Sequence, residues 1–219
     1  MGIIFDLDGT VLDSLRLHEH AVKLGFDTVL GKDKVSIDFI RKNIRYPFSV
    51  LVKNLNTSGV VVKTSESKKA LAVADDYMTL HMVARKVKFF NGARETMSFA
   101  KNIGIKVCIA TSMNTTEIKR FIPALKLRSL STIIVNSKNP KKEKPNPIIL
   151  NEAIRLARMK RKTTYYIGDS PFDLLAANNA GIQFLGIFNR KELSKKAPFF
   201  ANFKELKKYI KDNRQLFVD

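Results

Sequence analysis

Acidic residues are scarce in this chain, cysteine is almost absent, and no stretch is long and apolar enough to enter a bilayer. The one cysteine, Cys108, excludes an internal disulfide, and no set of zinc ligands appears. Its neighbours Val107, Ile109 and Ala110 are apolar, which predicts a buried thiol and a reducing, cytoplasmic setting. No apolar run approaches the roughly 18 residues that a membrane helix needs, so no membrane partner is expected. The chain enters the apolar run Ile3-Ile4-Phe5 at once, without the basic and then apolar segment of a secretory signal.

The shortage of acids leaves 20 Asp and Glu against 39 Lys and Arg, a net charge of +19. A basic surface can serve a nucleic-acid backbone by releasing counterions. Here the cations are spread along the chain, at Lys32 and Lys34, Arg41 and Arg45, Lys68 and Lys69, Lys141 to Lys144, Arg158 to Lys162, Lys195 and Lys196, and Lys204 to Lys211. No aromatic residues alternate with them in a binding motif. That distribution argues for general attraction of small anions and against nucleic acid as a partner.

What is present is an ordinary globular composition. The 219 residues are 45% hydrophobic and 27% charged, enough for one domain with a sizeable core or for a core plus a small inserted domain. The most informative stretch is Asp6-Leu7-Asp8-Gly9-Thr10-Val11-Leu12-Asp13-Ser14, which follows directly on Ile3-Ile4-Phe5. It reads as a buried strand that delivers carboxylates to a sheet edge. Asp6 and Asp8, two apart on a strand, begin on the same face. Two such carboxylates repel, and one is pushed toward protonation. The pair makes chemical sense when a cation binds on one side and the other acid moves protons.

From Ile105 onward strand and helix signals alternate, which predicts an α/β fold with a parallel sheet and helices on both faces. Strands are expected at 105–110, 132–136, 164–168 and 183–187, and helices near 92–103, 114–122, 147–158, 171–180 and 202–210. Ligands of such sheets sit at the carboxyl ends of the strands, by a topological switch point. Asp6, Thr111 and Asp169 each fall at such an end. Residues 15–88 contain amphipathic stretches instead, at 15–24, 36–44, 47–55 and within 66–86, where Leu71, Ala74, Met78, Met82 and Arg85 recur at helical spacing. Asn56-Thr57-Ser58-Gly59 is expected to be a turn among them.

Four segments together resemble the haloacid dehalogenase superfamily, within its phosphoglycolate phosphatase and β-phosphoglucomutase-like group. Asp6 to Ser14 is similar to its first motif. Lys106-Val107-Cys108-Ile109-Ala110-Thr111-Ser112 is similar to the second, Lys144-Pro145-Asn146-Pro147 to the third, and Tyr165-Tyr166-Ile167-Gly168-Asp169-Ser170-Pro171-Phe172-Asp173 to the fourth. The resemblance implies a Rossmann-like core formed by residues 1–14 and 89–219 and an inserted α-helical cap domain at 15–88. Hinges are then expected near Ser14–Arg16 and Lys88–Gly92.

It also implies a magnesium-dependent phosphatase acting on a small phosphorylated substrate, as a monomer or weak dimer. Asp6 would be the nucleophile and Asp8 the general acid and base. Thr111 and Ser112 would bind the phosphoryl oxygens, and Lys144 would neutralise their charge. Lys141 and Lys142 compete for that last role, but Pro145-Asn146-Pro147 follows Lys144 as in the family. Mg2+ would be held by Asp6, Asp169 and the backbone carbonyl of Asp8. Asp173 would support the metal waters or Lys144, or act only as a helix-capping acid. Arg45 stands where the family often has glycine, and is either a contact for a second anionic group or a solvated side chain.

An acid at position 8 argues against dehalogenation, since a halide needs no proton. A phosphohexomutase of the β-phosphoglucomutase type, with His18 at the cap hinge, is the main alternative, and a nucleic-acid-end phosphatase a more distant one. Phosphoglycolate, sugar phosphates and nucleoside monophosphates all remain open as substrates.

Overall fold

The computed structural model describes residues 1–83, 87–113, 115–131, 133–137, 143–188 and 197–217. The chain divides into two compact units, Met1–Asp13 with Lys88–Asp219, and Ser14–Val87. The first is built on strands β1 (Gly2–Phe5), β4 (Lys106–Thr111), β5 (Ile133–Asn136), β6 (Thr164–Gly168), β7 (Gln183–Ile187) and β8 (Phe199–Phe200). They form one sheet in the order β5-β4-β1-β6-β7-β8, every pair parallel. All four residues of β1 are buried, as an apolar run flanked on both sides and covered on both faces must be. Its register sets Phe5 opposite Ile109 of β4 and Ile167 of β6. The chain moves outward from β1 in one direction and later in the other, so β1 lies at the switch point.

The helices of Ser14–Val87 are α1 (Leu15–Leu30), α2 (Ile37–Asn43), α3 (Phe48–Thr57) and α4 (Thr64–Val83). Those of the sheet unit are α5 (Ala93–Asn102), α6 (Thr115–Ala124), α7 (Leu127–Leu130), α8 (Ile148–Ala157), α9 (Pro171–Ala180) and α10 (Phe203–Asp212). Ile149, Ala153, Ala176 and Ala177 of α8 and α9 pack with Ile4, Cys108, Ala110 and Tyr166 of the sheet. Strand alternation turns Ile3, Phe5 and Ile109 to the opposite face, where α5 meets β4 and α10 meets α5. Cys108 is buried as expected, and burial pushes its thiol up to about 12.

Within Ser14–Val87, α1 packs against α4. Gly25 permits this: a Cβ there would lie 2.3 Å from the Ala70 carbonyl oxygen. Ala70, Ala74 and Met78 are the buried stripe of α4. Of the expected stripe, Leu71 is half-buried, while Arg85 and the Met82 side chain lie outside the described residues.

Several expectations need correction. Asn56 and Thr57 belong to α3, not to a turn; the helix ends at Ser58, and Gly59 follows with φ +96°. The Asn56 side chain instead accepts a hydrogen bond from Val62 N–H at 2.8 Å, closing the loop from beyond the helix end. The first helix continues to Leu30 and stops at Gly31, also at positive φ. The antiparallel pair β2 (Leu12–Asp13) with β3 (Lys88–Phe89) was not expected, nor were β8 and α7. Elements this short carry no periodicity to read. No helix among the described residues is long and apolar enough to cross a membrane.

Candidate active site

Asp6 continues the ladder of β1, its N–H donating to the Ile167 carbonyl at 2.9 Å. The chain then turns back tightly, with Val11 and Leu12 N–H both donating to the Leu7 carbonyl at 2.9 Å. Gly9, at φ +74°, makes that reversal cheap. The turn leaves Asp8 half-buried, bridged through its backbone to Leu12. It also buries Thr10, whose hydroxyl lies 3.2 Å from both Asp6 Oδ2 and Asp169 Oδ1.

Asp169 comes from the end of β6, the strand next to β1. Four residues on, Asp173 opens α9 in a capping box: its Oδ2 accepts from Ser170 N–H at 3.0 Å and Ser170 Oγ at 2.6 Å, while Ser170 Oγ accepts from Asp173 N–H. Its other oxygen, Oδ1, accepts from Lys144 Nζ at 2.7 Å and from the Tyr166 hydroxyl at 2.9 Å. Asp173 thus caps the helix and holds Lys144 at once. Gly168 makes room, since a Cβ there would stand 2.5 Å from Asp173 Cβ and 2.8 Å from its Oδ2.

Lys144, ahead of α8, reaches this cluster from a separate segment. Its Nζ donates to Asp6 Oδ1 at 2.6 Å as well as to Asp173, and lies 3.2 Å from the Tyr166 hydroxyl. Burial opposes its charge, but Asp173 and Asp6 outweigh burial and hold the ammonium well above the ordinary lysine range. At Asp6 the balance is reversed. Burial pushes the carboxyl up to about 8; Lys144 pulls it down, but Asp173 and Asp169 push it up again.

Oxygens of Asp6, Asp169 and Asp173 lie within 4.8 Å of one another, all three residues buried. The Lys144 ammonium binds two of these three carboxyl groups, Asp6 and Asp173. A buried cluster of hard oxygen donors fits a small divalent cation.

Thr111 ends β4 on the other side of β1 and is buried, its Oγ1 accepting from Met113 N–H at 3.2 Å. Asn136, ending β5, ties this loop down through donations to the Met113 carbonyl and Thr115 Oγ1. Three strand ends therefore bring Asp6, Thr111 and Asp169 to one sheet edge. The profile of the haloacid dehalogenase-like hydrolases matches residues 3–187. The chain belongs to this family.

A phosphoglycolate phosphatase from Pseudomonas syringae pv. tomato is 26% identical over 191 residues, covering 82% of this chain and 66% of that protein. In that comparison this hydrolase spans just under two thirds of its relative. Among solved structures, a family IA, variant 3 hydrolase from Entamoeba histolytica superposes with TM-score 0.81 at 21% identity, covering 100% and 99% of the two chains. CbbY from Rhodobacter sphaeroides, solved in complex with phosphate, gives 0.77 at 21%, covering 94% and 95%. These structural likenesses carry the fold.

Sequence reasoning did not assign roles to Thr10, Tyr166 or Asn136 in this hydrolase. For Tyr166 a partial signal existed: a tyrosine in a buried strand must find a partner for its hydroxyl, and Asp173, which accepts from it, lies seven residues on. Ser112 is half-buried beside Thr111. Lys141 and Lys142 lie outside the described residues.

Arg45 is half-buried in the other unit, after α2. His18, also in that unit, has its Nδ1 3.2 Å from the Ser14 carbonyl. A cavity of about 510 Å³ there is lined by Arg16, Glu19, His20 and Arg41. Arg41 is bound to Glu19 at 3.2 Å and Asp38 at 3.0 Å, so acids answer the cations around it.

Proposed function

We propose that this hydrolase is a magnesium-dependent phosphatase of small phosphorylated metabolites that works through an aspartyl-phosphate on Asp6. The observation that carries the reading is the buried Asp6–Lys144–Asp173 chain beside Asp169, a cluster of carboxyl oxygens suited to a divalent cation. Asp6, Asp169 and the Asp8 carbonyl are the proposed ligands. Asp173, with one oxygen capping α9 and the other on Lys144, supports the site from behind. When bound, the cation supplies the positive charge that lets an anionic phosphoryl group approach an anionic carboxylate.

An Asp6 oxygen attacks phosphorus, and the ester P–O bond breaks with its electron pair on the leaving oxygen. Asp8, protonated, gives that oxygen its proton. Asp8, now a carboxylate, takes a proton from water, whose oxygen attacks phosphorus and breaks the bond to Asp6. Thr111 and Ser112 orient the phosphoryl oxygens. Lys144 neutralises their charge as transfer proceeds.

Ser14–Val87 is read as the cap-type unit that selects the substrate, with the Arg45 guanidinium offered to a second anionic group. The named relative makes phosphoglycolate the first compound to test.

The experiment is phosphate release from a panel of phosphoglycolate, sugar phosphates and nucleoside monophosphates, with and without magnesium. Stoichiometric release that vanishes on chelation is the expected result. Full activity in metal-free buffer would sink the mechanism. Isomerisation of β-glucose 1-phosphate far outpacing release would make the enzyme a mutase.

A further inference from the structure

We propose that Tyr166 is a positioning residue whose buried hydroxyl anchors the Lys144 ammonium while Lys144 exchanges Asp6 for the phosphoryl group. A lysine ammonium has three N–H donors and no acceptor. Lys144 has three acceptors in place: Asp6 Oδ1 at 2.6 Å, Asp173 Oδ1 at 2.7 Å and Tyr166 Oη at 3.2 Å. The tyrosine accepts from Lys144 and donates its own hydrogen to Asp173 Oδ1 at 2.9 Å, so Lys144, Tyr166 and Asp173 close a triangle.

The three partners are not equivalent. In the proposed reaction Asp6 is consumed as the nucleophile, and its bond to Lys144 must yield when phosphoryl arrives. Asp173 is fixed by the cap of α9, with both of its oxygens in use. Tyr166 is fully buried in β6, its ring edge-on to Phe184 with centroids 6.3 Å apart. Two anchors therefore remain when the third leaves, and they leave Nζ one direction in which to donate. With the hydroxyl gone, Asp173 alone holds the ammonium. The amine can then swing about that single bond, and the charge that meets the transition state is misplaced.

The inference rests on the phosphatase reading of Lys144. Its test is Tyr166→Phe in the full chain with magnesium, assayed on an aryl phosphate. The ring and its packing stay; only the hydroxyl goes. The expected result is a fall in kcat on the order of tenfold, KM within about twofold and a thermal midpoint within about 2 °C of wild type. In a Lys144→Ala background the same change should cost less than about twofold, because the group it positions is absent.

An unchanged kcat, or an equal loss with and without Lys144, would overturn the proposal. So would a Phe variant that does not fold, since the hydroxyl would then be structural. An inactive wild-type chain would end both this inference and the phosphatase reading. An active wild type with an unaffected Phe variant ends this inference alone.

Discussion

The two units of the chain differ in how deeply they bury their ion pairs. In the sheet unit Lys144, Asp6 and Asp173 have side chains only 11%, 5% and 1% exposed. In Ser14–Val87 the pairs are graded: Arg41–Asp38 stands in water at 56% and 77% exposed, whereas Lys23–Asp27 is 18% and 24% exposed and Glu19, which also binds Arg41, only 11%. Exposed pairs contribute about 0–1 kcal/mol and are weakened by salt. A buried pair costs several kcal/mol to desolvate, and a well-packed apolar replacement often does as well or better for stability. A buried charged cluster is therefore poor scaffolding. Its presence at the edge where three strand ends meet fits the chemistry proposed above, whereas the Arg41–Asp38 pair of the helical unit decorates a surface.

That contrast is broken most directly at Asp6. Asp6→Asn should remove turnover by on the order of ~10³ or more while the chain remains folded, as expected for loss of a covalent nucleophile. Asp8→Asn should be severe as well, yet with a good leaving group a phosphoryl-enzyme can still form. Circular dichroism and trapping of labelled phosphate are the checks. Label on Asp8 in place of Asp6 would reverse the two roles.

One kind of substitution made in both units sharpens the comparison. Gly168→Ala places a Cβ 2.5 Å from Asp173 Cβ, so Asp173 must move and Lys144 with it. Activity should fall about tenfold or more, since misplacing a catalytic group by about 1 Å can cost ~10²-fold. Gly25→Ala drives a Cβ to 2.3 Å from the backbone oxygen of Ala70, which no rotamer change relieves. It should cost about 1–3 kcal/mol of stability, the usual range for overpacking, seen as a lowered denaturation midpoint. Gly168→Ala with full activity would show that Asp173 does not need its present position.

The same contrast explains what could be read without coordinates. Asp6, Thr111 and Asp169 were legible because strand ends write short local patterns, such as acid after an apolar run, whereas Lys144 and Asp173 were singled out only by the family resemblance. Tyr166 meets Lys144 from 22 residues away and Thr10 meets Asp169 from 159 away, so the distant half of each contact set leaves no local signature. In Ser14–Val87 amphipathic spacing gave four helices with ends a few residues out. Asn56 shows why: as a helix residue whose side chain also closes the following loop, it satisfies helix and turn chemistry together. Which side chain of that unit meets a substrate is set by packing between elements, and spacing along one helix does not encode it.

The smallest effect is expected at Asp75, a half-buried acid in α4. Burial, with Asp76 beside it, pushes its carboxyl up to about 6, and His18 pulls the other way. The ordinary value is 3.8, so between those values the folded chain holds the proton more tightly than the unfolded chain does. Stability from this group is then fully present below the unfolded value and is lost as pH rises toward about 6. Solvent screening at a half-buried site keeps the contribution below about 1 kcal/mol. Asp6, also raised, would add a loss of the same sign as pH rises toward about 8 in metal-free protein. The measurement therefore compares wild type with Asp75→Asn at saturating magnesium, by thermal midpoints from pH 4 to pH 7. Asp75→Asn should flatten the decline, stabilise the chain slightly at pH 7 and leave turnover unchanged. Parallel curves would mean that Asp75 is solvated in practice, and that the buried acid of the helical unit that matters is Glu19, which Arg41 answers at 3.2 Å.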